Sequence, residues 1–299
     1  MERFLQAIIQ GLTSGGVYAL IALAFSIVYM TTRVINFAQG EVMMIGAYIY
    51  FFMVAASKDG GLDLAWPVAL LVALLGTLVV GLIVHMISIA PLGKFDPNTN
   101  IGWILTTLSV SLILVEVMRN IAGEQAKRVD PVVSSFGGKK TLFTIEPKQY
   151  LILIVGVVLA LVLEVVHSKT QLGRALRATA HDKATASLMG INTGFMVRYS
   201  FALAGVLGGI SGWLLAPVIF VDPNMGTLVG LTAFVAAVVG GIGSTRGAIV
   251  GGLTIGVVES IARWAGAGEW TSAMVFLTLI LILVLKPTGI LGEALIEKV

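Results

Sequence analysis

Residues 151–198 read LILIVGVVLALVLEVVH and then SKTQLGRALRATAHDKATASLMGINTGFMVR. The first half is one continuous apolar run with a single charge, Glu164, and is about long enough to cross a bilayer as a helix. The second half carries five Lys and Arg, contains no proline, and keeps helical spacing of its apolar residues. Apolar sequence resumes at Tyr199 and continues to Phe220. A buried span, a polar helical elbow and a second span in succession define a membrane bundle with a long helical excursion outside the lipid.

The same pattern extends outward in both directions. Further continuous runs lie at about 4–30, 35–56, 65–86, 101–118, 228–245, 247–266 and 270–286. The expectation is an all-α polytopic membrane protein with eight or nine transmembrane helices, forming a single domain over residues 1–299. Composition agrees. The chain is 57% hydrophobic and 12% charged, with mean hydropathy +0.98, whereas a soluble domain carries about 25% charged residues. A barrel is not the expectation, because its strands alternate apolar and polar residues whereas these runs are continuous. The first run, Phe4 to Met30, is too long for a signal-peptide core and is read as a retained span. The last run is expected to stop at Lys286, which meets the negative helix end, with Pro287 and Gly289 forbidding continuation.

Two links are long, residues 119–150 and 168–198. They lie at opposite ends of one span and therefore face opposite sides of the membrane. Cytoplasmic loops are enriched in Lys and Arg. With the 168–198 link inside, ten of the 19 Lys and Arg fall inside and nine outside, so charge leaves the orientation open.

Glycines repeat at intervals of four. Gly205 and Gly209, Gly208 and Gly212, Gly252 and Gly256, Gly11 and Gly15, and the series Gly243, Gly247 and Gly251 follow this spacing. One helical turn between small residues creates a groove for close helix packing, because lipid supplies no hydrophobic drive between helices. Grooves of this kind also suit a path lining or a sliding surface.

Four carboxylates fall inside or at the edge of spans, where a charge costs at least ~2.5–3.5 kcal/mol on insertion scales. Glu259 is expected to pair with Arg263, Glu116 with Arg119, and Glu164 with the polar loop near His167. Glu41 lies in the polar cluster Asn36, Phe37, Ala38, Gln39, Gly40, Glu41, and its nearest basic residue is Arg33. Two readings fit: a functional one, the polar lining of a pathway or a helix break at a moving joint, or a buried network holding neighbouring helices.

Within the elbow, Leu172, Ala175, Leu176, Leu188 and Met189 form an apolar edge, with Arg174, Arg177 and Lys183 between them. Asp182 is predicted to cap a short helix that runs to Met189 and stops at Gly190. Such a helix suits either docking in another protein's groove or a solvated loop lying on the membrane.

Enzyme chemistry finds no set of residues. There is no Cys, and His85, His167 and His181 are scattered without metal-ligand spacing. No P-loop occurs, and no basic run points to nucleic acid. Gly209-Ile210-Ser211-Gly212 matches GxSG, yet no His follows it to act as base, so it reads as helix packing. No catalytic residue, metal or cofactor is expected.

Four stretches together resemble the permease subunits of the bacterial branched-chain amino acid ABC importer family. They are Asn36 to Glu41 with Ile45-Gly46-Ala47; Gly173 to Ala178 continuing to Leu188-Met189-Gly190-Ile191-Asn192; Ala233 to Gly252; and Pro287 to Gly292. The resemblance implies a multi-pass permease in the bacterial inner membrane that pairs with a second permease as a heterodimer. It further implies two cytosolic ABC ATPases beneath and a periplasmic binding protein that delivers branched-chain or other hydrophobic amino acids, or a related small polar solute. On this basis residues 168–198 become a cytoplasmic coupling loop and residues 119–150 a periplasmic loop. Arg174, Arg177, Asp182, Ala186, Leu188, Gly190 and Ile191 belong to the ATPase-docking segment, and Asn36, Gln39, Gly40 and Glu41 lie at the translocation path. The family often has His where this chain has Gln39, so a protonatable group is absent there. ATP hydrolysis belongs to the separate subunits. The alternative function is a secondary, ion-coupled transporter that uses Glu41.

Overall fold

The computed structural model describes residues 2–55, 61–93, 101–130 and 147–292. Among them the chain is all-α. Its helices are α1 (Glu2–Thr32), α2 (Gln39–Val54), α3 (Trp66–Val84), α4 (Gly102–Ala122), α5 (Pro147–Lys169), α6 (Gln171–His181), α7 (Lys183–Leu188), α8 (Thr193–Leu215), α9 (Met225–Gly240), α10 (Thr245–Trp264) and α11 (Thr271–Leu285). The nearest approach to a sheet is one isolated antiparallel bridge between Lys127 and Val221.

Seven helices are long and apolar enough to cross a membrane: α1, α3, α4, α5, α8, α10 and α11 with the turn before it. Seven by length and apolarity falls short of the expected eight or nine. The remaining two apolar runs form α2 and α9, of 16 residues each. At a rise of 1.5 Å per residue they reach about 24 Å, short of the ~30 Å hydrocarbon core.

Caps explain several shifted boundaries. Asn192 Oδ1 accepts the Phe195 N–H at 2.9 Å, so α8 begins at Thr193, ahead of the expected Tyr199. Ser244 Oγ accepts the Gly247 N–H at 3.0 Å and starts α10. Thr170 Oγ1 accepts the Gly173 N–H at 3.1 Å, so α6 follows almost directly on α5. The 168–198 link is therefore mostly helix. At the end of α3 the chain continues as a π turn, His85–Ile89, and a 3-10 turn, Ala90–Leu92, beyond the expected stop at 86.

The centre of the bundle is α1. It packs along α10, α8, α5 and α9, whereas α2 is held between α8, α3 and α9. Large apolar side chains on α3, α4, α5 and α11 point outward, among them Leu71, Leu112, Leu161 and Leu281. That distribution suits a lipid solvent, in which apolar groups face out as well as in.

Glycine sets the closest approaches. A Cβ on Gly15 would lie 2.8 Å from Leu253 Cα, and one on Gly212 would lie 2.7 Å from Ala47 N. Gly205 and Gly209 of α8 both face Thr77 of α3, and Gly247 and Gly251 of α10 face Gly240 of α9. Gly243 departs from the expected series. It lies in the turn before α10 at φ +87, beside the Tyr29 ring, and contributes to no helical groove.

After α11 the chain turns back onto α9. Ile290 N–H donates to Val239 O at 2.8 Å and Leu291 N–H to Gly240 O at 2.9 Å. These bonds satisfy carbonyls that the end of α9 leaves open. Lys286 Nζ donates to Ile290 O at 2.7 Å, so its ammonium holds this turn rather than the end of its own helix.

Candidate translocation site and docking elbow

After Thr32 the chain does not start a new helix at the bundle's edge. Arg33 takes φ 58, and Val34 to Ala38 run back into the interior without helical structure. Asn36 Oδ1 accepts the Ala38 N–H at 3.2 Å, and Gln39 N–H donates to Asn36 O at 3.1 Å. Gln39 Nε2 donates to Ala204 O at 2.9 Å. Ala204 lies roughly 16 Å along α8 from its start, judged from the helical rise. The first turn of α2 therefore begins inside the bundle.

The first turn of α9 meets it there. A Cβ on Gly230 would lie 2.8 Å from Gly40 Cα, so the two backbones touch. Glu41 Oε1 accepts the Thr227 hydroxyl at 2.9 Å. Glu41 is 1% exposed, and its Oε2 has no hydrogen-bond partner. An unsatisfied buried carboxyl oxygen is costly. The positive ends of two short helices flank this carboxyl group. The same juxtaposition of interrupted helices marks binding sites in many transporters.

Asn36 and Gln39 are also buried and bonded within the chain, and Gly40 is buried. The structure brings all four cluster residues together with Thr227 and leaves Arg33 outside the group. Nothing local in the sequence marks Thr227, which lies 186 positions from Glu41.

Among the other carboxylates, Glu116 pairs with Arg119 at 2.8 Å and Glu259 with Arg263 at 2.7 Å. Glu259 also accepts the Tyr18 hydroxyl at 2.6 Å. Glu164 departs from expectation. Its partners are Arg246, at 2.7 Å, and the Thr245 hydroxyl, which tie the end of α5 to the start of α10. Among the described residues no group of His, Asp and Glu could hold a metal ion.

The elbow is α6 and α7 joined at Asp182. Asp182 Oδ1 accepts the Ala184 N–H at 2.8 Å, and Oδ2 accepts the Thr185 hydroxyl at 2.6 Å. These bonds, led by Thr185, hold its carboxyl below the usual carboxylate range. The far end closes with paired bonds from Ile191 N–H to Ala186 O and from Gly190 N–H to Ser187 O, both 3.1 Å, with Gly190 at φ +84. This is the Schellman arrangement. Leu188 and Met189 stand 87% and 79% exposed at the tip.

The seven residues assigned to the elbow divide. Leu188 and Gly190 face outward, as does Arg174, while Ala186 is buried. Arg177 directs its guanidinium to the His167 and Ser168 carbonyls at the end of α5. Asp182 caps α7, and Ile191 closes it. Leu176 is fully buried and roots α6 in the bundle. Arg33 Nη2 donates to Ala180 O at 2.7 Å, a contact that the sequence did not suggest.

Long apolar helices around two short ones that meet inside, with a polar elbow at one end, define a polytopic membrane protein of the transporter class. Comparison with known proteins narrows the class. The family model for the branched-chain amino acid transport system, permease component, matches residues 7–284. The high-affinity branched-chain amino acid permease LivH of Escherichia coli K12 is 34% identical over 99% of this chain and 98% of its own length. BraD of Pseudomonas aeruginosa is 33% identical with the same coverage, and the probable LivH of Methanocaldococcus jannaschii is 32% identical over 91% of this chain and 88% of its own. The chain belongs to the branched-chain amino acid transport permease family. Its fold is similar to that of PsaBC from Streptococcus pneumoniae, solved with a Fab, at TM-score 0.51 and 16% identity over 95% of this chain and 92% of that one. This chain is therefore a multi-pass permease component of a transport system.

Proposed function

We propose that the chain is the membrane-spanning permease subunit of an ATP-driven importer in the bacterial inner membrane. Its cargo is branched-chain or other hydrophobic amino acids, or a related small polar solute. A periplasmic binding protein delivers the cargo, a second and different permease completes the pore, and two cytosolic ATPases supply the work. Family membership supports this reading and disfavours a stand-alone ion-coupled carrier built on Glu41.

The observation that carries the division of labour is the elbow. A capped, closed helix with two large apolar side chains exposed at its tip fits a groove in another protein. On this reading the elbow faces the cytosol and residues 119–150 face the periplasm, of which 131–146 lie outside the described residues. The bridge between Lys127 and Val221 is consistent with a common side for that link and the turn before α9. The short helices α2 and α9 complete a count of nine crossings, helped by the non-helical segments that lead into them.

The Asn36–Glu41 cluster then lines the path at the meeting of α2 and α9. ATP closes the ATPases, the elbow moves, and the permease pair exchanges access between faces. Each state is favoured by what binds it better. Reconstitution with the partner subunits tests the whole: uptake requires ATP and binding protein and survives an uncoupler. Uptake that persists without ATP and collapses with the uncoupler would overturn it.

A further inference from the structure

One side chain ties the elbow to the turn that leads into the Glu41 cluster. Arg33 sits at the turn between α1 and the segment that leads into α2. Its guanidinium donates to Ala180 O near the end of α6, two residues before the Asp182 cap of α7. A helix C-terminus carries partial negative charge and open carbonyls, so a cation is well matched there. The Tyr29 ring lies under the guanidinium, 5.7 Å from centroid to Cζ, and fixes its direction.

Arg33 is also one of only two non-glycine residues with positive φ among the described residues. Bulky side chains avoid that conformation, and its use points to a constraint met elsewhere. The constraint is visible on both sides of the residue. Before it, Thr32 Oγ1 donates to Val28 O at 2.7 Å and accepts the Val34 N–H at 3.2 Å. After it, Val34 and Ala38 are fully buried and Gln39 is bonded to α8. The short stretch from Arg33 to Gln39 therefore has little slack. A displacement of the end of α6 is carried to the first turn of α2, where Glu41 meets Thr227.

We infer that Arg33 is the positioning residue that transmits motion of the elbow to the α2–α9 meeting point. The inference rests on the reading of the elbow as the ATPase-docking segment. The role assigned to Arg33 is mechanical.

The test uses the full complex, with partner permease, ATPases and binding protein, in proteoliposomes. Three variants are compared: Arg33→Gly, Arg33→Ala and Arg33→Lys. The readouts are co-purification of the ATPases, melting temperature, and leucine taken up per ATP hydrolysed. Arg33→Gly relieves the backbone while removing the tie, so it keeps its ATPases and its melting temperature. Its uptake per ATP falls about tenfold, within the usual range of coupling energies. Arg33→Ala falls alike. Arg33→Lys, whose ammonium reaches the same carbonyl, stays within about threefold of the parent.

A wild-type uptake ratio in Arg33→Gly overturns the inference. So does loss of the ATPases from that variant, which would make Arg33 part of docking itself. Failure of the underlying docking reading is seen separately, as a Gly190→Arg complex that keeps its ATPases.

Discussion

Glu41 Oε1 accepts a 2.9 Å hydrogen bond from Thr227 Oγ1, joining the first turns of two 16-residue helices across 186 positions of sequence. Gly40, Gly226 and Gly230 let the two backbones touch beside it. The second carboxyl oxygen has no partner. The bundle thus keeps one acidic group at the joint where two short helices begin.

Glu41→Gln separates charge from shape. The amide oxygen still accepts from Thr227, so expression and pairing are expected to remain normal while uptake falls, because the titratable carboxyl is gone. Transport assays on purified complexes check this. Normal uptake would assign the cluster to helix packing alone.

Thr227→Val tests the bond from its other side. Glu41 Oε1 then loses its hydroxyl partner, and stability is expected to fall by about 1–3 kcal/mol. A thermal melt in detergent measures it. An unchanged midpoint would mean the hydroxyl does not serve Glu41.

Gly190→Arg targets the elbow's closure. The position has φ +84 and open space around it, so the bundle is left intact. A left-handed non-glycine residue costs roughly 1–2 kcal/mol locally, and a bulky cation beside Leu188 and Met189 blocks a groove. The ATPases are expected not to co-purify. Their retention together with transport would remove the docking role.

Asp182 makes the α7 cap dependent on pH. Its folded carboxyl titrates below the ordinary value because Thr185 and Ala184 bond its charged form. The cap's contribution is therefore complete above the unfolded value, about 4, and is lost as pH falls through the lower, folded one. Amide protection at Ala184 and Thr185 should decline over that acid range in the parent. Asp182→Asn, an uncharged cap, should show no such decline, and a parallel decline in both proteins would contradict the assignment.

Gly212→Leu should yield little folded protein, whereas Gly268→Ala should be silent. A Cβ at Gly212 meets the backbone of α2, at 2.7 Å from Ala47 N, while nothing lies near one at Gly268. Overpacking by inserted methylenes costs about 1–3 kcal/mol even in forgiving cores, and backbone atoms yield less than side chains. Yield and melting temperature of the two variants decide it.

The helical class was legible in the apolar runs because a membrane span must satisfy its backbone internally and face lipid with apolar side chains. The elbow's cap at Asp182 and stop at Gly190 were legible for a similar reason: both are local hydrogen-bonding rules written within a few residues. The i, i+3 and i, i+4 ion pairs of Glu116 and Glu259 followed from helical spacing. Glu164 did not, since its partner Arg246 comes from a helix 82 positions away.

Helix number and site geometry were beyond such rules. The run containing Asn36 to Glu41 reads as one span, yet its first residues form a non-helical entry and the helix starts deep inside. Hydropathy measures how apolar a stretch is and carries no information on the depth at which a helix begins. Local pattern was enough to tell that these residues live in lipid and where their helices stop. The meeting of Glu41 with Thr227, and of Arg33 with Ala180, arises from packing between remote segments, where glycine lets backbones touch and buried polar groups take whatever partner the assembled bundle brings.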